Sequence, residues 1–471
     1  MTKVTLKVLG IKFIVPMRDK PKLFDGKIPW CRIEDIEGKY INGTQSNKYV
    51  SESTINEMNL KVLPKNSIIY SCSATIGVVA INTVDLCTNQ TFIGLIPSDK
   101  INLDYLYYQL LLYGDSLKKI ASQTTIPYIS REKFENLEIV WRDYTSQIRI
   151  ADVLSVLDDK IELNNKINAE LEAMAKTLYD YWFVQFDFPN TESKPYKYSG
   201  GKMVYNETLK REIPEGWEVK NIAKIAKIVD CLHSKKPDYS ANDRNKYLLQ
   251  LENILDNGLV DISYKYFVSD NDYKNWTSRI EINEHDILIT NAGRVAATAQ
   301  ASQEIKAGIG RNITAIRPLN INPTYFFLSF RGYDIQKQIK SNTDQGAFFK
   351  SFNVKGIKKL NFIIPSKEIE IEFEKIAFNL RRKRELNLKE NQELAKLRDW
   401  LLPMLMNGQV TVAEEQLGMV AEPELAYHKT KEDAKENRFE LWLSNQKLAA
   451  RGDIDEVVLR EIFDAMDDED Q

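Results

Sequence analysis

The stretch KIELNNKINAEL at 160–171 recurs as KRELNLKENQEL at 383–394, with an offset of 223 residues and eight of twelve positions identical. Upstream, LPKNSIIYSCSATIGVVA (63–80) corresponds to INEHDILITNAGRVAATA (282–299). The offset is several times the roughly 20–50 residues of a solenoid repeat. The sequence therefore indicates a duplicated unit in which a globular domain precedes a helix.

Both copies of this stretch lie in long helical patterns. From 144 to 183 apolar residues recur at spacings of three and four without Pro or Gly, and the pattern returns from 368 to about 402. About 38 residues make a rod of roughly 57 Å, which is too long to bury its apolar stripe in one small domain. We therefore expect the two rods to pack against each other.

Asparagines interrupt the apolar stripe of both predicted helices. A polar residue in a helix–helix seam costs stability but fixes the register, which would give these side chains a purpose. The alternative is that they lie on a hydrated face. The predicted register residues are Asn164, Asn168, Asn387 and Asn391.

Short strands are predicted ahead of the first helix, because β-branched and apolar runs are bounded by Gly, Asn, Ser and Pro. These runs lie at 28–36, 67–70, 76–81 and 91–96, and a helix is expected near 102–120. The predicted fold class is α+β, with two duplicated strand-rich domains separated by two long helices that form an antiparallel coiled coil.

The charges are unevenly distributed along the chain. Lys and Arg number 64 and Asp and Glu 67, yet residues 1–410 carry a balance of +7 and residues 411–471 one of −10. Apolar residues at helical spacing within 436–448 and 453–466 predict a short helical module in this acidic tail, docking on the body or on a partner. Four scattered cysteines and three histidines argue against zinc or disulfides. A cytoplasmic chain without membrane segments is expected.

The whole layout resembles the specificity subunit of type I restriction–modification systems. The resemblance covers residues 1 to about 410 and rests on the order of segments. AKTLYDYWF (175–183) closes the first helix, PEGW (214–217) opens the second domain, and DWLLPMLMNG (399–408) ends the second helix. The first half lacks a PEGW-like opening, and the tail is longer than the resemblance requires.

The resemblance implies that each globular domain reads one half of a split DNA site while the helices set the spacing. The implied partners are double-stranded DNA, two copies of the methyltransferase subunit and, for cleavage, the ATP-dependent restriction subunits. No cofactor is expected in this chain, since S-adenosylmethionine, ATP and Mg would belong to the partners. The predicted organisation is a first target-recognition domain at 1–145, a long helix at 146–185, a linker and second target-recognition domain at 186–366, a second long helix at 367–410 and an acidic, partly helical extension at 411–471.

Polar, turn-rich loops are the candidate DNA contacts, because base edges are read by Arg, Lys, Asn, Gln, Ser and Thr. For each residue the alternative is that it only shapes its turn. The candidates in the first half are Gln45, Asn47, Lys48, Thr75, Asn89, Gln123, Thr124, Thr125 and Tyr128. Those in the second half are Lys235, Lys236, Tyr239, Arg244, Asn291, Arg294, Arg311, Asn312, Gln345, Phe348 and Lys350.

The sequence contains no recognisable catalytic motif. The nearest approach to an amino-methyltransferase motif, Asn322-Pro323-Thr324-Tyr325, is interpreted as a helix start, and no GxxxxGK[ST] loop is present. Gly308-Ile309-Gly310 is predicted as a turn, Asp158-Asp159 as a solvated helix face, and His285 as a turn or core residue. No metal site or catalytic residue is predicted.

Three hypotheses follow from the sequence. The first is a non-catalytic DNA-specificity subunit, the second a stand-alone DNA-modifying enzyme, and the third a coiled-coil scaffold whose globular domains bind proteins. A balance of only +7 predicts weak DNA binding by the isolated chain.

Overall fold

The computed structural model describes residues 2–16, 20–73, 75–121, 128–240, 244–345 and 350–412. These residues form two compact units. Unit one comprises the residues up to Lys166 together with those from Lys389 onward, and unit two comprises Ile167–Leu388. The helical module predicted in the acidic tail lies outside the described residues. In the ranges given above, no helix combines the length and apolar character needed to cross a membrane.

Unit one is built on short strands. They are β1 (Lys3–Thr5), β2 (Lys12–Ile14), β3 (Ile28–Cys31), β4 (Tyr40–Ile41), β5 (Tyr49–Val50), β6 (Val62–Leu63), β7 (Ile68–Ser71), β8 (Val79–Asn82), β9 (Leu86–Thr88), β10 (Phe92–Ile96) and β11 (Glu138–Val140). The main sheet has the order β2-β10-β7-β8-β4, a second has the order β5-β3-β9-β6, and β1 pairs with β11. The helices are α1 (Glu52–Glu57), α2 (Leu103–Ala121), α3 (Arg131–Glu135) and α4 (Tyr144–Tyr179), of which the part up to Lys166 belongs to this unit.

The predicted strands form because their apolar runs can be covered on both faces. Every residue of β7 and β8 is buried, which is expected of β-branched and apolar runs at the centre of a domain. Helix α2 covers the sheet with Tyr105, Tyr108 and Leu110, all fully buried. The C-terminal Leu402, Leu405 and Met406 join the same core.

Unit two follows a similar order of elements. Its strands are β12 (Met203–Asn206), β13 (Arg211–Pro214), β14 (Glu218–Asn221), β15 (Ala226–Asp230), β16 (Tyr247–Leu249), β17 (Tyr266–Phe267), β18 (Ile287–Thr290), β19 (Thr298–Gln300), β20 (Gly308–Ile309), β21 (Ile313–Pro318), β22 (Asp344–Gln345), β23 (Lys350–Ser351) and β24 (Asn361–Ile364). Its helices are α5 (Asp270–Trp276), α6 (Pro323–Arg331), α7 (Tyr333–Asn342), α8 (Val354–Ile357) and α9 (Lys367–Met406), of which the part up to Leu388 belongs to this unit.

The sheets of unit two have the orders β15-β21-β18-β19 and β17-β16-β20, with β14 paired to β24. Strands β16 and β20 run parallel, as β3 and β9 do in unit one. The run Gly308-Ile309, predicted as part of a turn, is therefore a strand. A β-carbon at Gly308 would lie 2.5 Å from a methyl group of Leu248, so glycine lets the two strands approach.

The aromatic cluster that closes α4 belongs to the core of unit two. Helix α4 continues as a π-helical turn over Asp180–Val184, and Trp182 and Phe183 are buried there. Phe183 packs against Tyr325 and Phe373 with ring centroids 4.5 and 4.8 Å apart. Trp217, the tryptophan of the PEGW segment, packs on the same ring. Both aromatic segments therefore join the core at the start of the second domain.

The structure agrees with the sequence prediction at Asn322 and differs from it at Asp158. Asn322 caps α6, since its side-chain oxygen accepts from the backbone N–H groups of Thr324 and Tyr325, and Pro323 occupies the first turn. The segment is thus a helix start, as predicted. Asp158 is only 5% exposed, so the prediction of a solvated face at this position is wrong. Its neighbour Asp159 is exposed.

Candidate nucleic-acid interface

Three loops of unit one are joined by backbone hydrogen bonds. The Cys72 N–H donates to the Thr91 carbonyl over 2.8 Å, and the Ile129 N–H donates to the Cys72 carbonyl over 2.9 Å. These bonds hold the loop after β7 between the loop before β10 and the segment before α3. The backbones of residues far apart in sequence therefore meet at one edge of the main sheet.

This edge carries three of the predicted contact residues of unit one. Thr75 is exposed, and Tyr128 is 49% exposed beside a backbone bridge to Ser73. Asn89 is half-buried, and its side-chain oxygen accepts from the Thr91 N–H over 3.0 Å, so it shapes its own turn. The predicted contacts Gln123, Thr124 and Thr125 lie outside the described residues.

Unit two has the same three-loop connection. The Asn291 N–H donates to the Asn312 carbonyl over 2.8 Å, and the Phe352 N–H donates to the Asn291 carbonyl over 2.8 Å. Exposed at this edge are Arg294, Arg311 and Asn312. Each position matches one in unit one, with Arg294 corresponding to Thr75 in the aligned sequences.

The loops after β7 and β18 turn back in the same way. Gly77 has φ +94° and donates its N–H to the Ser71 carbonyl, while Ala296 has φ +61° and donates to the Thr290 carbonyl. A left-handed conformation at this position returns the chain to the sheet and leaves the loop tip exposed. The tip residues, Thr75 and Arg294, are therefore presented by a tight and repeated turn.

Asn291 supports the loop from below. It is 9% exposed, its amide donates to Asp230 Oδ1 over 3.2 Å, and its side-chain oxygen accepts from the Thr314 hydroxyl over 2.9 Å. Both polar ends are thus used inside the protein. Asn291 therefore supports the loop, and its exposed neighbours are the candidate DNA contacts.

The first predicted loop of unit one, at 42–53, is tied to the turn after β3. The Gln45 N–H donates to Asp35 Oδ1 over 2.7 Å, and its amide donates to Glu37 over 2.6 Å. Asn47 is exposed with φ +51°, and the Lys48 ammonium lies 5.7 Å from the centre of the Phe24 ring. Asn47 is the freest of these side chains, because Gln45 and Lys48 are engaged within the unit.

A mixed basic and aromatic surface covers β16 and β17 of unit two. The Lys236 ammonium lies 3.8 Å from the centre of the Tyr266 ring, and the exposed Tyr239 ring packs edge-on against the same ring at 5.7 Å. Lys265 lies over Tyr247 at 4.9 Å. Cations interleaved with aromatic rings favour binding to nucleic acid, where phosphates meet the cations and flat rings offer stacking faces.

Two members of this basic surface, Lys265 and Tyr266, were missed in the sequence. Tyr266 begins the short strand β17 and Lys265 directly precedes it. Lys246, at the end of the predicted loop 233–246, lies 4.7 Å from the Tyr273 ring centre. The alternation SYKYF at 263–267 was the available signal. Burial and Asp238 raise the pKa of Tyr266, so its hydroxyl stays neutral and would not repel a phosphate. The predicted residues Lys235 and Arg244 are also exposed in this region.

Gln345 and Lys350, two of the predicted contacts of unit two, lie on paired strands. Gln345 on β22 pairs with Lys350 on β23, and Lys350 is exposed. Strand β23 leads into Phe352, whose backbone bond to Asn291 joins it to the other two loops. The side chain of Gln345 and the whole of Phe348 lie outside the described residues.

Among the residues that the structure describes, one cluster of possible metal ligands lies beside these loops, formed by Asp230, Cys231 and His233. The carboxylate of Asp230 already accepts from protein donors, including the Thr314 hydroxyl and the Asn291 amide. Burial and the neighbouring Asp230 raise the pKa of the Cys231 thiol, which opposes formation of a metal-binding thiolate. The cluster is accounted for by the loop contacts that it makes.

The four register asparagines lie in helix–helix contacts within their own units. In unit one the Asn164 amide donates to Asn391 Oδ1 over 2.9 Å and to Glu390 over 2.8 Å. In unit two the Asn387 amide donates to Asn168 Oδ1 over 2.9 Å. All four are buried, which excludes a hydrated face.

The helix segments run in opposite directions within each unit. In unit one Asp158 contacts Arg398 while Asn164 contacts Asn391. In unit two Asn168 contacts Asn387, and Glu172 contacts Arg384 over 2.8 Å. Rising numbers on α4 therefore meet falling numbers on α9 in each unit.

This chain is similar in sequence to known specificity subunits. Residues 16–173 match the family described as the type I restriction modification DNA specificity domain. The MjaIX type I specificity subunit of Methanocaldococcus jannaschii is 28% identical over 394 residues, covering 83% of this chain and 88% of the relative. The HindI specificity subunit of Haemophilus influenzae is 25% identical over 377 residues, covering 68% and 80%. A crystal structure of an S subunit from M. genitalium aligns with a TM-score of 0.44 at 20% identity, covering 88% and 96%.

Proposed function

We propose that this chain, a member of the specificity-subunit family of type I restriction–modification systems, selects the DNA sequence on which its partner subunits act and performs no chemistry itself. The observation that carries this proposal is the three-loop edge that occurs in both units. It displays Thr75 and Tyr128 in unit one and Arg294 and Arg311 in unit two. The family match and the relatives agree with this function.

The two globular domains are duplicated copies that read different half-sites. The loop-to-loop backbone bonds coincide in the two units, while the exposed side chains differ. Arginine in unit two suits guanine, whose O6 and N7 accept a bidentate guanidinium in the major groove. Threonine at the matching position in unit one suits a different base contact. A bipartite and asymmetric DNA site follows.

The long helices act as the spacer. We infer that the antiparallel contacts seen separately in each unit belong to one coiled coil formed by α4 and α9. Buried asparagine pairs fix its register, since each amide finds its partner in only one alignment. The separation of the half-sites would then depend on the length of the helices.

Partner subunits would dock on the helices of unit one. Val156, Leu163, Leu397 and Trp400 are large apolar residues that are 43–67% exposed. A partly apolar surface of this kind is typical of a protein interface. We propose that two methyltransferase subunits, and restriction subunits in the full complex, assemble around this chain in the cytoplasm and carry S-adenosylmethionine, ATP and Mg.

Substitution of one loop arginine tests the proposal. Arg311→Ala, assayed with the methyltransferase subunit on DNA libraries, should relax base preference at one position of one half-site. The expected loss is about 1–3 kcal/mol in discrimination, the usual contribution of a bidentate base contact. Lys337→Ala removes an exposed charge from α7 and serves as the matched control.

The arginine experiment has a clear contrary result. An Arg311→Ala variant with unchanged preference in both half-sites, or with relaxed preference in both, would remove the support for modular reading. A similar drop for the Lys337→Ala control would show a general electrostatic effect.

A further inference from the structure

Two matching helix positions carry opposite buried charges. With the offset of 223 residues, Asp158 on α4 corresponds to Arg381 on α9. Asp158 is 5% exposed and Arg381 6% exposed. The next position repeats the reversal, with Asp159 corresponding to Arg382. A duplicated helix has therefore acquired opposite charge where it meets its own globular domain.

In unit one the globular domain offers hydrogen-bond donors to the acidic side chains of α4. The Tyr108 hydroxyl donates to Asp158 Oδ2 over 2.6 Å, and the Tyr40 hydroxyl donates to Asp159 over 3.1 Å. The buried Lys39 ammonium donates to Ser155 of the same helix over 2.8 Å. From α9, Arg398 donates to the other oxygen of Asp158 over 2.6 Å. Both carboxylate oxygens of Asp158 are thus satisfied.

In unit two the globular domain offers hydrogen-bond acceptors to the basic side chains of α9. Arg381 donates to Gln300 Oε1 over 2.7 Å and lies 3.1 Å from His285 Nδ1. Arg382 donates to Gln303 over 3.3 Å. Within α9, Arg381 also pairs with Glu385 over 2.8 Å.

Each domain would meet unsuitable partners if it docked on the helix of the other. The buried Lys39 ammonium of unit one would find Phe378 in place of its acceptor Ser155 and would face Arg381. In unit two, the Gln300 oxygen and His285 Nδ1 would face the carboxylate of Asp158 in place of the Arg381 guanidinium. A buried charge without its partner is strongly destabilising.

We propose that these opposite contacts form a position key, which restricts each recognition domain to its own place in the chain. The key consists of four pairs of helix positions that match at the offset of 223 residues: Ser155 with Phe378, Asp158 with Arg381, Asp159 with Arg382, and Ala175 with Arg398, the partner of Asp158. It ties each recognition domain to its own helix segment. The inference rests on the proposed function in treating the two domains as equivalent copies.

Two chimaeras test the position key. In the first, residues 2–143 and 217–366 exchange places within the full chain. In the second, the same exchange is combined with exchange of the four matched pairs, including Asp158→Arg and Arg381→Asp. The first should unfold about 10 °C below the native chain and be cleaved rapidly between domain and helix, because buried polar and charged groups at the domain–helix contacts lose their partners. The second should recover most of this loss.

A matched control tests whether any exchange of opposite charges between the two helices would restore stability. Asp152 and Lys375 also occupy corresponding positions with opposite charge, but both are exposed. Exchange of this pair in the first chimaera should give no recovery. If the first chimaera is as stable as the native chain, or the second fails to recover, the position key is wrong.

Unfolding and proteolysis test the position key, whereas methylation tests DNA recognition. Unfolding and proteolysis are measured on the chain alone, so they do not depend on DNA. Methylation by the second chimaera with its partner subunits should occur at the native bipartite site, because exchanging two domains on antiparallel helices is equivalent to reading the same duplex from its other strand. If the second chimaera is stable but shows no preference for the native half-sites, the position key stands and the proposed function fails.

Discussion

His285 is a residue whose ionisation should control the stability of unit two. It lies in a turn with φ +73°, and its Nδ1 faces the Arg381 guanidinium. Burial and the charge of Arg381 lower the pKa of His285 below its ordinary value of 6.5. The histidine therefore stays neutral and accepts a hydrogen bond from Arg381.

The pH dependence of unfolding follows from this lowered pKa. As the pH falls below about 6.5, the unfolded chain binds a proton that the folded chain still excludes, so stability decreases. The loss should continue until the pH reaches the lowered pKa of the folded state. Urea unfolding between pH 7.5 and 5 measures it, and His285→Asn, which tolerates the left-handed turn, should flatten the slope.

His233→Gln is the control for this titration. The change leaves the contact between His285 and Arg381 intact, so the slope should be kept. An unchanged slope in His285→Asn would contradict the assignment.

Individual contacts at this scale were only partly accessible from the sequence. The repeat placed the asparagines in a seam because helical spacing is visible in the residues themselves. It could not show that Asp158 is buried, since burial depends on Tyr108 and Arg398, which are far away in the chain. The role of Asn291 was hidden for the same reason, because its partners Asp230 and Thr314 come from other strands.

At the level of elements, the long helices were the most predictable part of the fold. The helix predicted at 146–185 is helical over Tyr144–Tyr179 and continues as a π-helical turn to Val184, while α9 spans Lys367–Met406. An apolar pattern repeated over many turns leaves little ambiguity. Strands such as β17 and β20 have two residues each, too few to show an alternating pattern. Their formation depends on pairing with distant strands.

Helix length should determine the spacer between half-sites. Inserting one heptad into α4 after Ile167 and one into α9 before Leu388 keeps the seam in phase and adds about 10 Å. The methylated motif should gain roughly two to three base pairs between unchanged half-sites, because stacked bases are about 3.4 Å apart. Sequencing of methylated host DNA provides the measurement.

The heptad insertion tests whether the helices set the distance between the half-sites. Altered half-sites with an unchanged spacer would show that the helices do not set the distance. A single heptad inserted in α4 alone is the control, since it shifts the asparagine partners out of register and should reduce stability.

For the whole molecule, the account depends on modular reading by two domains. The units repeat the same loop connections and differ in their exposed side chains, while the helices carry separate contacts for each domain. A scaffold that binds proteins would not require matched loops with different polar tips. The body carries a balance of only +7, which fits a subunit that shares its DNA contacts with partners.

The most direct measurement is the methylated motif after replacement of one domain. Residues 2–143 are exchanged for the corresponding domain of a related specificity subunit, the chain is expressed with its methyltransferase, and modified bases are mapped by long-read sequencing. The account predicts that one half of the motif changes while the other half and the spacer stay the same. A motif that changes in both halves, or in neither, would contradict it.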